Sequence, residues 1–509
     1  MNTLKFFIAF LASFICLQQS RAQNFSADSL KAYAEQQLSD YSVPALAIAI
    51  VDKDSLLFSQ GFGLNNIEKG QAANSETLFG IGSISKSFTA LAVGMLVSDG
   101  KMDWDDKVKK YLPYFELYDP YVSDNFTIRD LLTHRSGLKD VSGGSLWYHS
   151  DFSRKEIIKR MKYLKPVSGF REKTAYQNIM YLVAGEVVAA VSGMTYDAFI
   201  KSRIFDPLNM KHTVSLAADR EGSQNIARPH IDYEGKKILI VQEKGDNLAA
   251  GGFIYSSAND MARYMRFMLN KGIVGQDTLI HAREMSEILK PQVIYQISGP
   301  PLQNEFSSYG FGWWLTPKNG HKIVEHSGGI DGMSANLVMI SDLNYGVIVL
   351  SNTSSPASFV ITTNLIGKKL GNDEMVKFSN IIKMYYDRNL VREEELKQKR
   401  KDSQIKNTQM SLEAEKYTGT YRDKMYGDVY VSLENKELQL RFSHTPLFSG
   451  KLEHWHYDTF NMNWSDPRVP DGFITFVLGS DGEVSELKID QENLLDVDFS
   501  EISLKKVQE

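Results

Sequence analysis

Residues 45–51 form an unbroken apolar run, followed by Asp52-Lys53-Asp54 and a mixed stretch ending at Phe62. That layout predicts a hairpin: an apolar strand, a polar turn and a return strand. The period then changes. Ile84, Phe88, Leu91, Ala92, Met95 and Leu96 recur at helical spacing, and Gly100 follows as a stop. Further helical patterns fall at residues 128–132, 154–163, 179–191, 196–204 and 258–269. Strand patterns return at 310–315, 322–325, 335–340 and 346–350, and 358–370 reads as a helix. Asp342-Leu343-Asn344-Tyr345 supplies a turn between the last two strands. Strands at both ends thus bracket a helical middle. The order predicts an α/β (α+β) fold: one antiparallel sheet built from both ends, flanked by helices, with an inserted helical lobe. A crevice between sheet and lobe is then the natural ligand site.

Beyond this region the pattern shifts twice. Arg392-Glu393-Glu394-Glu395 and Lys397, Lys399, Arg400 and Lys401 mark a solvated helix or linker. From Tyr417 short alternating segments, such as 429–433, 438–442, 473–478 and 484–489, are separated by turns with Gly, Asn or Asp. They suit a small all-β barrel or sandwich. At the other end, Lys5 precedes an apolar run over residues 6–17, and Ser20 and Ala22 sit at the −3 and −1 positions of a cut before Gln23. This is the layout of a secretory signal, too short to span a bilayer. The expected organisation is a signal peptide at 1–22, the α/β domain at 23–372, a charged helical linker at 373–412 and a β-barrel at 413–509.

Composition narrows the chemistry. The net charge is −5, and the long basic run that nucleic acid or anionic lipid would require is missing from the first 372 residues. Cys16, the only cysteine, lies inside the signal segment. A mature exported chain therefore has no disulfide, no thiolate metal site and no cysteine nucleophile. No cofactor or metal is expected, and export points to the periplasm or the medium.

Candidate chemistry centres on Ser83-Ile84-Ser85-Lys86, at the start of the strongest helical pattern. Positions i and i+3 share a helix face, so the Ser83 hydroxyl and the Lys86 amine can meet. A serine needs a base to become a nucleophile, and a lysine serves once burial disfavours its charge. Such a tetrad alone is common by chance. Tyr176 and Asn178 add a proton relay and an amide donor ahead of the helix at 179–191. His326-Ser327-Gly328-Gly329 adds a strand edge that an extended substrate can approach.

Ser83-x-x-Lys86, Tyr176-x-Asn178 and His326-x-Gly328 resemble, in order and spacing, the penicillin-recognising serine hydrolases. The likeness is to the branch with class C β-lactamases, DD-carboxypeptidases, D-aminopeptidases and related esterases, and it covers residues 28–370. Leu131-Leu132-Thr133-His134, Ala249-Ala250-Gly251-Gly252-Phe253 and Tyr309-Gly310-Phe311-Gly312-Trp313 share it. The resemblance implies a β-lactamase/transpeptidase-like fold in which Ser83 forms an acyl-enzyme, Lys86 deprotonates it and Tyr176 shuttles a proton to the leaving group. It further implies that Asn178 and His326 contact substrate and that the backbone N–H groups of Ser83 and Gly329 form the oxyanion hole. β-Lactamases of this branch usually carry lysine where this chain has His326, which points toward peptide amides, with a carboxylesterase or a weak β-lactamase as alternatives. A non-catalytic binding or sensor protein is the alternative of another class, and the intact Ser83, Lys86 and Tyr176 set argues against it. Tyr417-Thr418-Gly419-Thr420-Tyr421 and the segment from His454 to Phe460 resemble the lipocalin-like barrel that follows this domain in some exported members. His454 and His456 share one strand face, and packing is the expected role for them and for His134.

Overall fold

A computed structural model describes residues 26–295, 306–492, 494 and 496–508. The expected signal peptide lies outside the described residues. The apolar run becomes the strand Ala45–Asp52, which pairs antiparallel with Leu56–Asn66 on one side. On the other side it pairs with Tyr345–Ser351, from Leu46 opposite Ser351 to Asp52 opposite Tyr345. The two ends of the hydrolase region therefore share one sheet, as the pattern predicts. Nine strands make up that sheet among the described residues, and the Ala45–Asp52 strand is internal.

Both faces of the sheet are covered, which explains the unbroken apolar run. Ala45, Ala47, Ala49 and Val51 pack into the core beneath the helical lobe, whereas Leu46, Ile48 and Ile50 pack on the opposite side. That alternation follows from the two-residue period of a strand. The second face is covered by the helices Ala27–Asp40 and Ala357–Lys369. A large buried aliphatic side chain contributes roughly 2 kcal/mol, so the central strands anchor the domain. Within the lobe the helices Ser85–Ser98 and Asn178–Ser192 are the most deeply buried. No single helix among the described residues is long and apolar enough to cross a membrane.

One expectation needs correction. The segment 310–315 is not a strand. Ser307–Tyr309 and Trp314–Lys318 are the strands, and residues 310–313 form the corner between them. Gly312 turns the chain there with φ of 72°, and a Cβ on it would lie 2.7 Å from the Lys86 carbonyl oxygen. The corner thus buttresses the helix that carries Lys86. Within the stretch expected as a charged helical linker, one helix runs over Asp373–Asp402, 30 residues.

The C-terminal segment is a closed barrel of eight antiparallel strands, from Gly419–Asp423 to Leu504–Lys506. The barrel packs against the mouth of the hydrolase domain. Arg160 donates to the Met425 carbonyl oxygen at 2.6 Å, and Asp151 pairs with His444 Nδ1 at 2.7 Å. Lys139 pairs with Asp498 and Ser142 with Glu501. Most of these anchors fall on the loop at 139–153, beside the expected crevice.

Candidate active site

Ser83 lies in a single 3-10 turn, Gly82–Ile84, which feeds directly into the helix Ser85–Ser98. The turn keeps the three-residue offset, and Lys86 Nζ donates to Ser83 Oγ at 2.9 Å. Lys86 is fully buried. Its other partners are Asn178 Oδ1 at 2.6 Å and the Gly251 carbonyl oxygen at 2.7 Å. Both are neutral acceptors, so no opposite charge in direct contact offsets the loss of hydration. Burial therefore pulls the Lys86 amine far below the ordinary lysine range, against a smaller upward pull from the carboxylate of Asp496. A neutral amine at 2.9 Å is a competent base for a serine hydroxyl.

Asn178 is the first residue of the helix Asn178–Ser192, and Tyr176 sits just ahead of it. Tyr176 hydrogen-bonds Ser83, and desolvation raises its phenol well above the ordinary range. It is thus a proton-bearing group beside the nucleophile. Lys86 Nζ lies 4.7 Å from the centre of the Tyr176 ring. His134, buried and at φ of 57°, packs on that ring with centroids 4.5 Å apart. Its Nδ1 accepts from the Gln177 backbone N–H at 3.0 Å. It therefore packs, as expected, and positions the Tyr176 segment.

The opposite wall is the strand His321–Ile330. Its glycines let it meet the nucleophile turn. A Cβ on Gly328 would lie 1.9 Å from the Ile81 carbonyl oxygen, and one on Gly82 would lie 2.4 Å from the Gly329 nitrogen. Only glycine permits backbones this close, and the contact brings the Gly328–Gly329 backbone against residues 81 and 82, just ahead of Ser83. His326 lies on this strand, where the resemblance implies a substrate contact. It is buried, with Nδ1 against the Ser327 carbonyl oxygen at 2.6 Å and Nε2 against the Tyr309 hydroxyl at 3.2 Å. Burial, with Lys86 nearby, pushes it down to about 3, so it is neutral at physiological pH. The ring is absent from the residues that line the cavity over Ser83.

That cavity, about 20 Å³, is lined by Ser83, Asn178, Gly251, Gly329 and Asp331 together with Trp147, Tyr148 and Phe253. One wall comes from the barrel. Asp496 accepts a hydrogen bond from Asn178 Nδ2 at 2.7 Å, and desolvation raises its carboxyl. The Asn178 amide therefore bridges Lys86 and Asp496. Arg468, also from the barrel, places Nη1 3.0 Å from Asp331 Oδ2 and 2.9 Å from His149 Nε2. His149, Glu243 and Asp331 are close enough to form a metal-type cluster, and this guanidinium sits against two of them. Burial lifts Glu243 to about 7. In the barrel itself, His454 Nε2 contacts the Tyr457 carbonyl oxygen at 3.0 Å and His456 faces the Ile405 backbone N–H, so each is tied to its neighbours.

Sequence reading located Ser83, Lys86, Tyr176, Asn178, Gly328 and Gly329: Ser83, Asn178 and Gly329 line the cavity, Lys86 and Tyr176 reach Ser83 itself, and Gly328 packs on the nucleophile turn. It missed Asp496, Asp331, Glu243 and Arg468. No local signal marks them, because Asp496 meets Asn178 across 318 positions of chain.

The Lys86 environment has a measurable consequence. The rate of Ser83 acylation by a neutral fluorophosphonate rises with pH as Lys86 loses its proton, with a midpoint well below the usual lysine range. Asp496→Asn moves that midpoint lower still, because the carboxylate helps retain the proton. A midpoint near that of free lysine, measured by stopped-flow labelling, contradicts this account.

Comparison with known proteins agrees with the geometry. Residues 30–369 match the family described as Beta-lactamase, and residues 403–506 match a Domain of unknown function (DUF3471). An Unguisins hydrolase of Aspergillus violaceofuscus is 27% identical over 355 residues, which are 65% of this chain and 62% of that protein. The chain thus spans a little under two thirds of that relative's length. Protein flp of Staphylococcus aureus MW2 is 24% identical over 380 residues, 72% of this chain and 71% of that one. The octameric penicillin-binding protein homologue from Pyrococcus abyssi superposes with a TM-score of 0.62 at 22% identity, over 95% of this chain and 100% of that one. The penicillin binding protein from Bacillus halodurans gives 0.55 at 22% identity, over 66% and 98%. These structures share the mixed α/β fold. The chain belongs to the Beta-lactamase family, whose members are generally serine hydrolases.

Proposed function

We propose that the protein hydrolyses amide bonds of peptides or peptide-like substrates through an acyl-Ser83 intermediate, as DD-peptidases and D-aminopeptidases do. The observation that carries this reading is the 2.9 Å contact between a fully buried Lys86 amine and the Ser83 hydroxyl. Lys86 takes the hydroxyl proton as Ser83 Oγ attacks the amide carbon, and backbone N–H groups of Ser83 and Gly329 hold the oxyanion. Collapse breaks the C–N bond, and Tyr176 gives its proton to the departing amine. Tyr176 is recharged from Lys86. Water then attacks the ester, Lys86 takes its proton, and the acid leaves as Ser83 recovers its own.

Substrates with a free carboxylate, β-lactams among them, are disfavoured because His326 is neutral and the cavity is lined with carboxyl groups, which favours the D-aminopeptidase side of this reading over the DD-peptidase side. The name of the Unguisins hydrolase supports hydrolysis in a relative. The signal-like segment at 6–17 supports export to the periplasm or medium.

The test is fluorophosphonate labelling of the full chain, followed by turnover of p-nitroanilides, p-nitrophenyl acetate and nitrocefin. Labelling disappears in Ser83→Ala, and turnover falls by about 1,000-fold or more. Folded protein that takes no label points to a binding or sensor role. Ester turnover without anilide turnover selects the esterase alternative.

A further inference from the structure

The helix Asp373–Asp402 is covered on one side only. Met375, Ser379, Ile382 and Tyr386 face the hydrolase domain. Ser379 accepts from Asn364 at 3.1 Å, and the Tyr386 ring lies 5.7 Å from that of Tyr41. The opposite side carries Ile381, Met384, Tyr385 and Val391, all exposed, Met384 by 50% and Val391 by 60%. Further on, every residue from Asp387 to Lys399 is exposed, Leu390 and Leu396 among them. A helical stretch of this length is marginal in water on its own. Apolar side chains left uncovered along it mark an interaction surface.

The open side has a second regularity. Lys377, Ile381, Met384, Arg388, Val391 and Glu395 follow one another at alternating steps of four and three residues, the spacing of a coiled-coil seam. This row complements its own reverse. An identical helix, turned end for end at the level of Tyr386, sets Ile381 against Val391 and Met384 against the aliphatic stem of Arg388. The same turn sets Lys377 against Glu395. Each contact then occurs twice, as a two-fold interface demands. Parallel pairing fails, because it places Lys377, Arg388 and Glu395 each against its own kind. Among the described residues neither Lys377 nor Glu395 has an ion pair within its own chain, so both charges are available.

We infer that the open side of this helix is a homodimer interface, and that its occupant is the same helix of a second copy of the chain, antiparallel and in the register just given. Charge complementarity selects that occupant over an unrelated protein, because the seam supplies both halves of every contact. The inference stands apart from the hydrolase reading, since none of the seam residues lines the cavity over Ser83.

Sedimentation equilibrium of the full chain, between about 1 and 100 μM, tests it, and the parent forms a dimer in that range. Ile381→Glu buries a charge twice in each dimer and weakens association by about 100-fold or more. Lys377→Glu opposes like charges at two places and weakens it by about tenfold. Adding Glu395→Lys to Lys377→Glu recreates the attraction with the signs exchanged, and association returns to within about threefold of the parent's. All three positions are exposed in the single chain, so circular dichroism of each variant matches the parent. A parent that stays monomeric at the top of the range leaves the stripe to some other partner and overturns the proposal. So does a dimer indifferent to Ile381→Glu or to Lys377→Glu, which forms through another face. A Lys377→Glu loss that Glu395→Lys fails to relieve overturns it too, because the register is then wrong.

Discussion

Replacing Lys86 with methionine lowers the rate of Ser83 acylation by about 1,000-fold or more, and the protein stays folded. Methionine fills most of the same buried volume, so the helix Ser85–Ser98 keeps its packing against the lobe. What disappears is the proton acceptor at 2.9 Å from Ser83 Oγ. The substitution also removes a group whose burial is unfavourable, which offsets the loss of the bonds to Asn178 and Gly251. The expected melting temperature therefore lies within a few degrees of the parent's, by analogy with other volume-conserving core changes. Fluorophosphonate labelling alongside calorimetry reads both quantities. A folded Lys86→Met protein that labels at the parent rate shows that some other group activates Ser83.

The second large effect concerns the seam between the domains. Arg468 is almost wholly buried, its side chain 3% exposed. It bonds Asp466 at 2.8 Å, Asp331 at 3.0 Å and the Val241 carbonyl oxygen at 2.9 Å. Arg468→Ala leaves Asp331 without its cation in a desolvated place, a loss of about 3–5 kcal/mol for broken buried pairs. That loss falls on docking, because Asp331 and Val241 belong to one domain and Arg468 to the other. Arg468→Lys rescues little, since one ammonium cannot span three acceptors held by a planar fork. Limited proteolysis and small-angle scattering follow the result: a larger radius of gyration and cleavage at the seam in Arg468→Ala, with the barrel resistant once released. Parent-like compactness in that variant removes Arg468 from its place as the clasp.

Much of this architecture was legible because its signals are local and periodic. The apolar run at 45–51 reads as a strand, and the spacing of Phe88, Ala92 and Met95 reads as a helix, because burial imposes those periods. The Ser83, Lys86, Tyr176 and Asn178 set was legible because each element begins or ends at its functional residue. The helix Ala27–Asp40 was not foreseen, since only Leu30, Ala34 and Gln37 are buried, a stripe too narrow to stand out. The strand Ser449–His456 was legible only through His454 and His456, and the register shift between them breaks the two-residue alternation that would have marked its full length. The neutral state of His326 was not legible, because burial and the neighbouring Lys86 set it rather than the residue type. The barrel's share of the cavity left no local trace at all, as it arises purely from the docking of distant surfaces.

The helix Asp373–Asp402 gives that docking its character. Its first turns are held to the hydrolase domain by Asn364 against Ser379 and by the Phe359–Phe378 ring contact, and its last turn reaches the barrel, where Arg400 lies 3.9 Å from the Phe473 ring centre. At 1.5 Å per residue it is a strut about 45 Å long. A barrel that lets go of the active-site mouth therefore remains leashed to its own catalytic partner at a high effective concentration. Reclosure is then unimolecular and independent of dilution, and each copy of the chain polices its own nucleophile.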